Sequence, residues 1–264
     1  MGNWYKPGIK GNDEGGGGGS DTIEIVTWAD GTDEQITAML EAYYNDEIDI
    51  YEYWTVGDER TIHLSQIAGN WFPDASSSYG YGEAQPAQDI VMVLMNKGGK
   101  KLVAPINGHA DCAFIVGQKN CLTNTGYLHG TYVEYISWTE FARCTWCNNN
   151  YRNAFPASLR NIFKLFCRYS TELDSPAPYF VLPEMVELTG SNLGIASSTE
   201  NSYLSQFEYY KIFANRAKDK SYWLRTNHST TRSNWFYASS SGSVDAYTTS
   251  AIYGTYGIAP FGVI

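Results

Sequence analysis

The stretch Ser221–Ile264, SYWLRTNHSTTRSNWFYASSSGSVDAYTTSAIYGTYGIAPFGVI, contains no Lys, Glu, Gln or Met. The preceding 220 residues hold 36 of these four types, a usage that would place roughly seven in a tail of this length. Tyr222–Tyr256 consists mostly of Ser, Thr, Tyr and Asn, punctuated by Trp223, His228, Trp235 and Gly242. The missing types lose the most rotamer entropy on ordering, whereas Tyr, Trp, Ser and Asn give contact area and hydrogen bonds at low ordering cost. That is the composition of a binding face. The genetic code supplies a second reading: randomising the first two bases of an Asn codon reaches most amino acids but never Lys, Glu, Gln, Met or Trp. A Ser/Thr-rich antiparallel sheet with short loops is the third.

The rest of the chain bounds these readings. Its 264 residues are 43% hydrophobic and 15% aromatic, enough for a real core and too much for global disorder. The net charge of −10 is uneven, with 14 of the 28 acids before Thr61 against Lys6, Lys10 and Arg60. Such a surface repels nucleic acid and anionic membranes. Apolar runs such as Ile90–Met95 are too short to span a bilayer, so membrane insertion is not expected. Met1–Ser20 is polar, ends in a run of five glycines and Ser20, and does not resemble a signal peptide. Five cysteines without a visible export signal point to reduced thiols, and to cytoplasmic synthesis followed by assembly or release.

Gly15–Ser20 reads as a flexible linker, which makes residues 1–20 a tail and residues 21–264 one domain. Thr32 and Gln35 form a capping-box pattern ahead of Ile36, Met39, Leu40 and Tyr43, predicting a helix near Asp33–Asn45. Ile62, Leu64 and the run Asp89–Met95 predict strands, the second continuous enough to be central in a sheet. Ser137 and Glu140 predict a helix running to about Asn150, and Pro156 one carrying Leu159, Ile162, Phe163 and Phe166 on one stripe. Ser205 and Glu208 predict a fourth, ending in the basic turn Arg216–Lys220. Only strand and turn signals follow. Helices in the middle and a sheet at the end make an α+β fold.

Motifs for chemistry are sparse. Cys144-x-x-Cys147 could join Cys112 and Cys121 on zinc, but the spacing matches no common finger, and the pair sits inside a predicted helix rather than at the N-terminus a redox dithiol uses. Buried or half-exposed thiols are the simpler reading. His63, His109, His129 and His228 are scattered, and no G-x-S-x-G elbow occurs. Lys97-Gly98-Gly99-Lys100 lacks the flanking residues of a phosphate loop and reads as a hairpin turn. The early carboxylates read as a solvated face, and Asn227-His228-Ser229 as a sequon without consequence unless secreted. No catalytic residue, cofactor or metal site is assigned.

Several segments together resemble a known module: Trp28–Glu34 (WADGTDE), Tyr53–Ser65 (YWTVGDERTIHLS), Val91–Gly99 (VMVLMNKGG), Phe114–Asn120 (FIVGQKN), Thr145–Arg160 (TWCNNNYRNAFPASLR), Trp223-Leu224-Arg225 and Tyr256–Ile264 (YGIAPFGVI). From about residue 21 onward the chain resembles the C-type-lectin-fold modules of gut bacteria and their phages, some of which are variable proteins of diversity-generating retroelements. The resemblance implies a C-type-lectin-like fold with helices packed on antiparallel sheets and a variable face near the C-terminus, diversified over about 222–256. It makes Trp223, Arg225, Phe236, Gly257, Pro260 and Gly262 framework. The implied ligand-binding set is Asn227, His228, Ser229, Thr230, Arg232, Asn234, Trp235, Tyr237, Asp245, Tyr247, Thr248, Ser250, Ile252 and Tyr253. The implied partner is a host-cell surface protein or glycan, met in multimeric display from a phage virion (tail) or bacterial cell surface. Two departures stand out. Thr226-Asn227 replaces the Ser-Pro that usually follows the framework Arg, and the calcium motifs of sugar-binding relatives are absent, so calcium-dependent sugar binding is not implied. The fold is also that of formylglycine-generating enzymes, whose active cysteines lie late in the chain, whereas no cysteine follows Cys167 here. The expected function is non-enzymatic ligand binding. The rivals are an invariant structural or surface module and, weakest, an enzyme of the formylglycine-generating kind.

Overall fold

The computed structural model describes residues 23–68, 84–125, 145–168, 177–191, 205–227, 234–244, 248–250 and 256–264. Tail residues 1–20 and the predicted caps Ser137 and Glu140 lie outside them. The fold is mixed α+β with antiparallel sheets and few helices.

Helix α1 (Asp33–Tyr44) begins as its sequence predicts. The Thr32 hydroxyl accepts from the Gln35 amide and the Gln35 side chain accepts from the Thr32 amide, satisfying two of the orphan donors of the first turn. Ile36, Met39 and Leu40 are buried along one face. The loop before it is held by Arg60, which donates to the carbonyls of Trp28 and Gly31 and pairs with Asp33 at 2.7 Å. Trp28 lies edge-on to Trp54 at 5.4 Å, and each indole donates to a backbone carbonyl, of Met92 and Val26 respectively. The sequence segments around Trp28 and Arg60 are therefore two halves of one clamp.

The main sheet has the order β1 (Glu59–Leu64), β2 (Gln88–Lys97), β5 (Phe114–Gln118), β10 (Phe261–Val263), β6 (Phe180–Val181), every pairing antiparallel. Strand β1 alternates exposed and buried residues, as an edge strand with one wet face does. Every residue of β5 is buried, so the central position belongs to β5, with β2 beside it. Residues 261–264 fill the gap between β5 and β6, and the Ile264 carbonyl accepts from the amides of Ala113 and Phe114. Strands β3 (Lys101–Ile106) and β4 (His109–Asp111) form a separate hairpin. A third sheet, β7 (Tyr222–Asn227), β8 (Asn234–Ala238) and β9 (Thr248–Ser250), is built wholly from the Ser/Thr/Tyr-rich tail.

Three local expectations are corrected. Lys97–Lys100 is a turn, with Gly98 and Gly99 at φ of 56° and 89°, but not a hairpin, because β2 pairs with β1 and β5 while β3 pairs with β4. The helix after Pro156 is a single turn, α2 (Ala157–Arg160); beyond it Lys164 bridges to Val263 and Phe166 to Leu102, so long-range backbone bonds replace helical ones. Leu159, Ile162, Phe163 and Phe166 are nevertheless all buried. The stretch after Ser205 forms two 3-10 turns, Glu208–Lys211 and Phe213–Arg216, without side-chain caps. The Glu208 amide donates to the Asn96 side chain, and Gln206 donates to the carbonyls of Leu188 and Tyr210. Tertiary partners thus claim the groups a helix would need.

Gly262 marks the tightest backbone approach in the main sheet. A Cβ there would lie 2.6 Å from the Tyr179 carbonyl oxygen and 2.9 Å from the Phe180 ring. Gly262→Ala should destabilise the protein by about 1–3 kcal/mol, the usual range for overpacking, measured by chemical denaturation. An unchanged midpoint would contradict this packing.

Candidate functional site

The tail sheet owes its position to a buried charge network. Arg225, on β7, is 1% exposed and reaches the helix α3 (Met185–Thr189) and the residue before it. Its guanidinium pairs with Glu184 at 3.1 Å and with Glu187 at 3.0 Å, and donates to the Leu182 carbonyl at 2.7 Å. Lys100, beyond β2, pairs at 2.5 Å with Glu187 Oε1, which also accepts from Arg225, and donates to the Arg168 carbonyl. Two cations and two anions are thus desolvated together, and each is bound by more than one partner. Burial alone would push the Glu187 carboxyl up, but Arg225 and Lys100 outweigh it and hold it below the ordinary carboxylate range. Burial pushes the Lys100 ammonium down against the pull of Glu187.

Thr226 joins the same cluster. Its hydroxyl accepts from the Met185 amide at 2.8 Å and donates to the Glu184 carboxylate, so a residue from β7 serves the N-terminus of α3. The departure from Ser-Pro at Thr226-Asn227 is therefore accommodated by a tertiary cap. Further ties run to the main sheet. Across the parallel bridge of Tyr222 with Gly257, the Trp223 amide donates to the Gly257 carbonyl and the Gly257 amide to the Ser221 carbonyl; the Arg225 amide donates to the Pro183 carbonyl, and the Leu122 amide to the Ile258 carbonyl. Lys218, just before β7, donates to the carbonyls of Gln118 and Lys119 at 2.7 and 2.9 Å. Burial lowers its ammonium to about 8, only partly opposed by Cys121 and Asp219.

On this platform Trp223, Arg225, Phe236, Gly257, Pro260 and Gly262, the residues that the resemblance implies as framework, are all buried. The expected binding residues divide into two groups. Asn227, Asn234, Trp235, Tyr237, Thr248 and Ser250 lie on the tail strands, with Asn227 opposite Trp235 and Asn234 opposite Ser250. His228, Ser229, Thr230, Arg232, Asp245, Tyr247, Ile252 and Tyr253 lie outside the described residues.

Trp235 requires correction. The resemblance implies it as a ligand-binding residue, yet it is only 2% exposed and belongs to the core. It sits on the middle strand, and its neighbour Phe236, which points to the other face, is also buried, so both faces of the sheet are covered at this level. A warning was present in the sequence, since the codon argument that accounts for the missing Lys, Glu, Gln and Met never yields Trp. Tyr237 is half-buried and stacks on Tyr256, ring centroids 4.0 Å apart, while Trp223 meets Tyr256 edge-on at 4.9 Å. Tyr256 was read only as part of the closing framework segment. It becomes part of an aromatic ledge because the Tyr222–Gly257 bridge sets it beside Trp223, which pairs with Tyr237. Burial, reinforced by the Tyr237 hydroxyl, pushes the Tyr256 phenol up to about 12. Both rings thus present apolar area with a polar hydroxyl at one end.

Cys112, Cys121, Cys147 and Cys167 are all buried, and Cys144 lies outside the described residues. Burial pushes Cys112 and Cys121 up to about 12, away from thiolate chemistry. Among the described residues no group of three His, Cys, Asp or Glu could hold a metal ion, and no helix is long and apolar enough to cross a membrane. No family profile, no curated protein and no solved structure matches the chain.

Two outcomes test the platform. Glu187→Ala strands Arg225 and Lys100 without their shared carboxylate and should cost about 3–5 kcal/mol, read as a lowered denaturation midpoint. Lys218 gives a pH signature. Its folded pKa of about 8 lies below the ordinary 10.5, so between those values the unfolded chain binds the extra proton and stability rises with pH. The stability of the wild type relative to Lys218→Met should therefore increase from pH 8 to 10.5, and a flat difference would refute the assignment.

Proposed function

We propose that residues 21–264 are a C-type-lectin-like domain whose tail is a non-enzymatic, hypervariable binding face for a protein or glycan on a host cell, carried on a phage virion (tail) or bacterial cell surface. The observation that carries this reading is the division of the tail. Its framework positions are buried and tied to α3 by Arg225, while Tyr237 and Tyr256 leave a half-open aromatic ledge beside the tail sheet. The composition between the framework positions, rich in Tyr, Ser, Thr and Asn and without Lys, Glu, Gln or Met, suits a face that changes contacts without disturbing the core. Binding would draw on the two tyrosines as rigid anchors and on adaptable hydroxyls around them, with several copies adding avidity. The buried network has a structural part in this reading and no catalytic one.

The reading predicts a separation of binding from stability. Tyr237→Ala should weaken capture of host cells by about 2 kcal/mol or more, as hot-spot aromatics do. Grafting residues 226–256 from a relative with a different tail should switch the partner at nearly unchanged melting temperature, provided Trp235 and Phe236 are kept. An invariant structural module expects neither outcome. Unchanged host-cell binding after the graft would refute the proposal. At the gene, the companion expectation is a nearby reverse transcriptase with a near-duplicate of the tail's coding sequence.

A further inference from the structure

A second surface, independent of the tail, has the make-up of a ligand site. Two clefts of about 360 and 330 Å³ meet at Ile106, Asn161 and Lys164, between α1, the β3–β4 turn and the extended segment after α2. Their combined size suits one or two sugar rings. At one end Glu41, Asn45 and Asn107 stand over a floor that includes Leu40. At the other, Arg152 lies over the Tyr179 ring at 3.9 Å.

The rim is built under constraint. Asp46 and Asn107 are the two non-glycine residues with left-handed backbone among those described, at φ of 59° and 47°. Asn107 donates to the Asn45 side chain at 2.5 Å, and Asp46 is bonded to His109 at 3.1 Å, so the two turns brace each other. The bond uses one donor of Asn107 and one acceptor of Asn45, which leaves each amide with both donating and accepting capacity.

The charges are arranged unusually for a chain of net charge −10. Lys164 and Arg152 line one cleft, and among the described residues neither has an acid within ion-pair distance. The Lys164 ammonium donates to the Asn161 carbonyl at 2.8 Å, which occupies one of its three protons. Its backbone is bonded to Val263, which fixes where its side chain leaves the chain. Burial lowers the Lys164 ammonium, partly offset by Glu41. The Arg152 Nε is buried without a hydrogen-bond partner among the described residues. A buried guanidinium donor without an acceptor is costly and invites an anion.

We infer that this double cleft binds an acidic saccharide, its carboxylate or sulfate between Lys164 and Arg152 and its hydroxyls on Glu41, Asn45 and Asn107. Amides and a carboxylate exchange donors and acceptors with vicinal hydroxyls, two unpaired cations take the anion, and the aliphatic floor takes the C–H face of the ring. A neutral sugar would leave the cations unsatisfied, and a simple anion would leave the amide rim unused.

Titration calorimetry on the full chain tests this with three probes: a disaccharide containing glucuronic acid, a sulfated disaccharide and lactose. At least one acidic probe should bind more tightly than lactose. Lys164→Gln and Arg152→Gln should each weaken it about tenfold, the effect of losing one charged hydrogen bond. Lys164 is half-exposed, so Lys164→Gln should retain the wild-type melting temperature and serves as the decisive variant if Arg152→Gln fails to fold. Tyr237→Ala should bind the acidic probe as wild type does, which separates this site from the tail. Binding of neither acidic probe, equal binding of lactose, or full binding by Lys164→Gln would each overturn the inference. Loss of binding in Tyr237→Ala would do so too, by moving the ligand to the tail.

Discussion

The pairing of Arg225 with Glu184 and Glu187, shared through Glu187 with Lys100, joins parts of the chain that no local interaction connects. Lys100 follows β2 of the main sheet, the two glutamates frame α3, and Arg225 belongs to the tail sheet. Charges this deeply buried are stable only as a complete set, because removal of one leaves the others desolvated and unpaired. The network therefore specifies an arrangement more than it adds net stability. It can be satisfied only when β7 lies against α3, which also brings Thr226 to the Met185 amide. Lys218 and the strand-like segment 256–264 secure the same contact from the other side.

That anchoring gives the tail a physical division of labour. Strands β7 and β8 contribute Tyr222, Trp223, Leu224, Trp235, Phe236 and Ala238 to the core. A sheet edge rich in Ser, Thr and Asn would not hold its place by its own side chains, which bury little apolar area. Fixed from beneath, it can present Tyr237 and Tyr256 as a rigid ledge. Change is cheap only at positions of the tail outside that buried set, as at exposed sites generally. The acidic-saccharide cleft draws on different elements, α1 and the β3–β4 turn, so the two proposed surfaces can vary separately.

Much of the architecture was legible from residue pattern. The capping box at Thr32, the alternation in β1 and the apolar run of β2 each describe a local periodicity, and each formed where expected. Burial of Leu159, Ile162, Phe163 and Phe166 was legible too, although the helix meant to carry them was not. Their stripe satisfies a core equally well from a one-turn helix and an extended segment, and the choice was made by Val263 and Leu102, far away in sequence. The stretch from Ser205 failed as a helix for the same reason, with Asn96 and Leu188 supplying partners that a local pattern does not reveal.

For the site, the sequence by itself determined the unusual composition of the tail, the Trp, Arg and Gly residues available to anchor it and the lack of a motif for catalysis. These are properties of residue type and spacing. Only the tertiary structure decided that Trp235 is core, that Tyr256 joins Tyr237, and that Lys164 and Arg152 share a cleft without an acid. Those outcomes depend on which strand becomes the middle of the tail sheet and on how residues 256–264 thread between β5 and β6. Side chains acquire such neighbours only when segments distant in the chain meet, and the meeting here is directed by buried charges whose partners lie 38 and 87 residues apart.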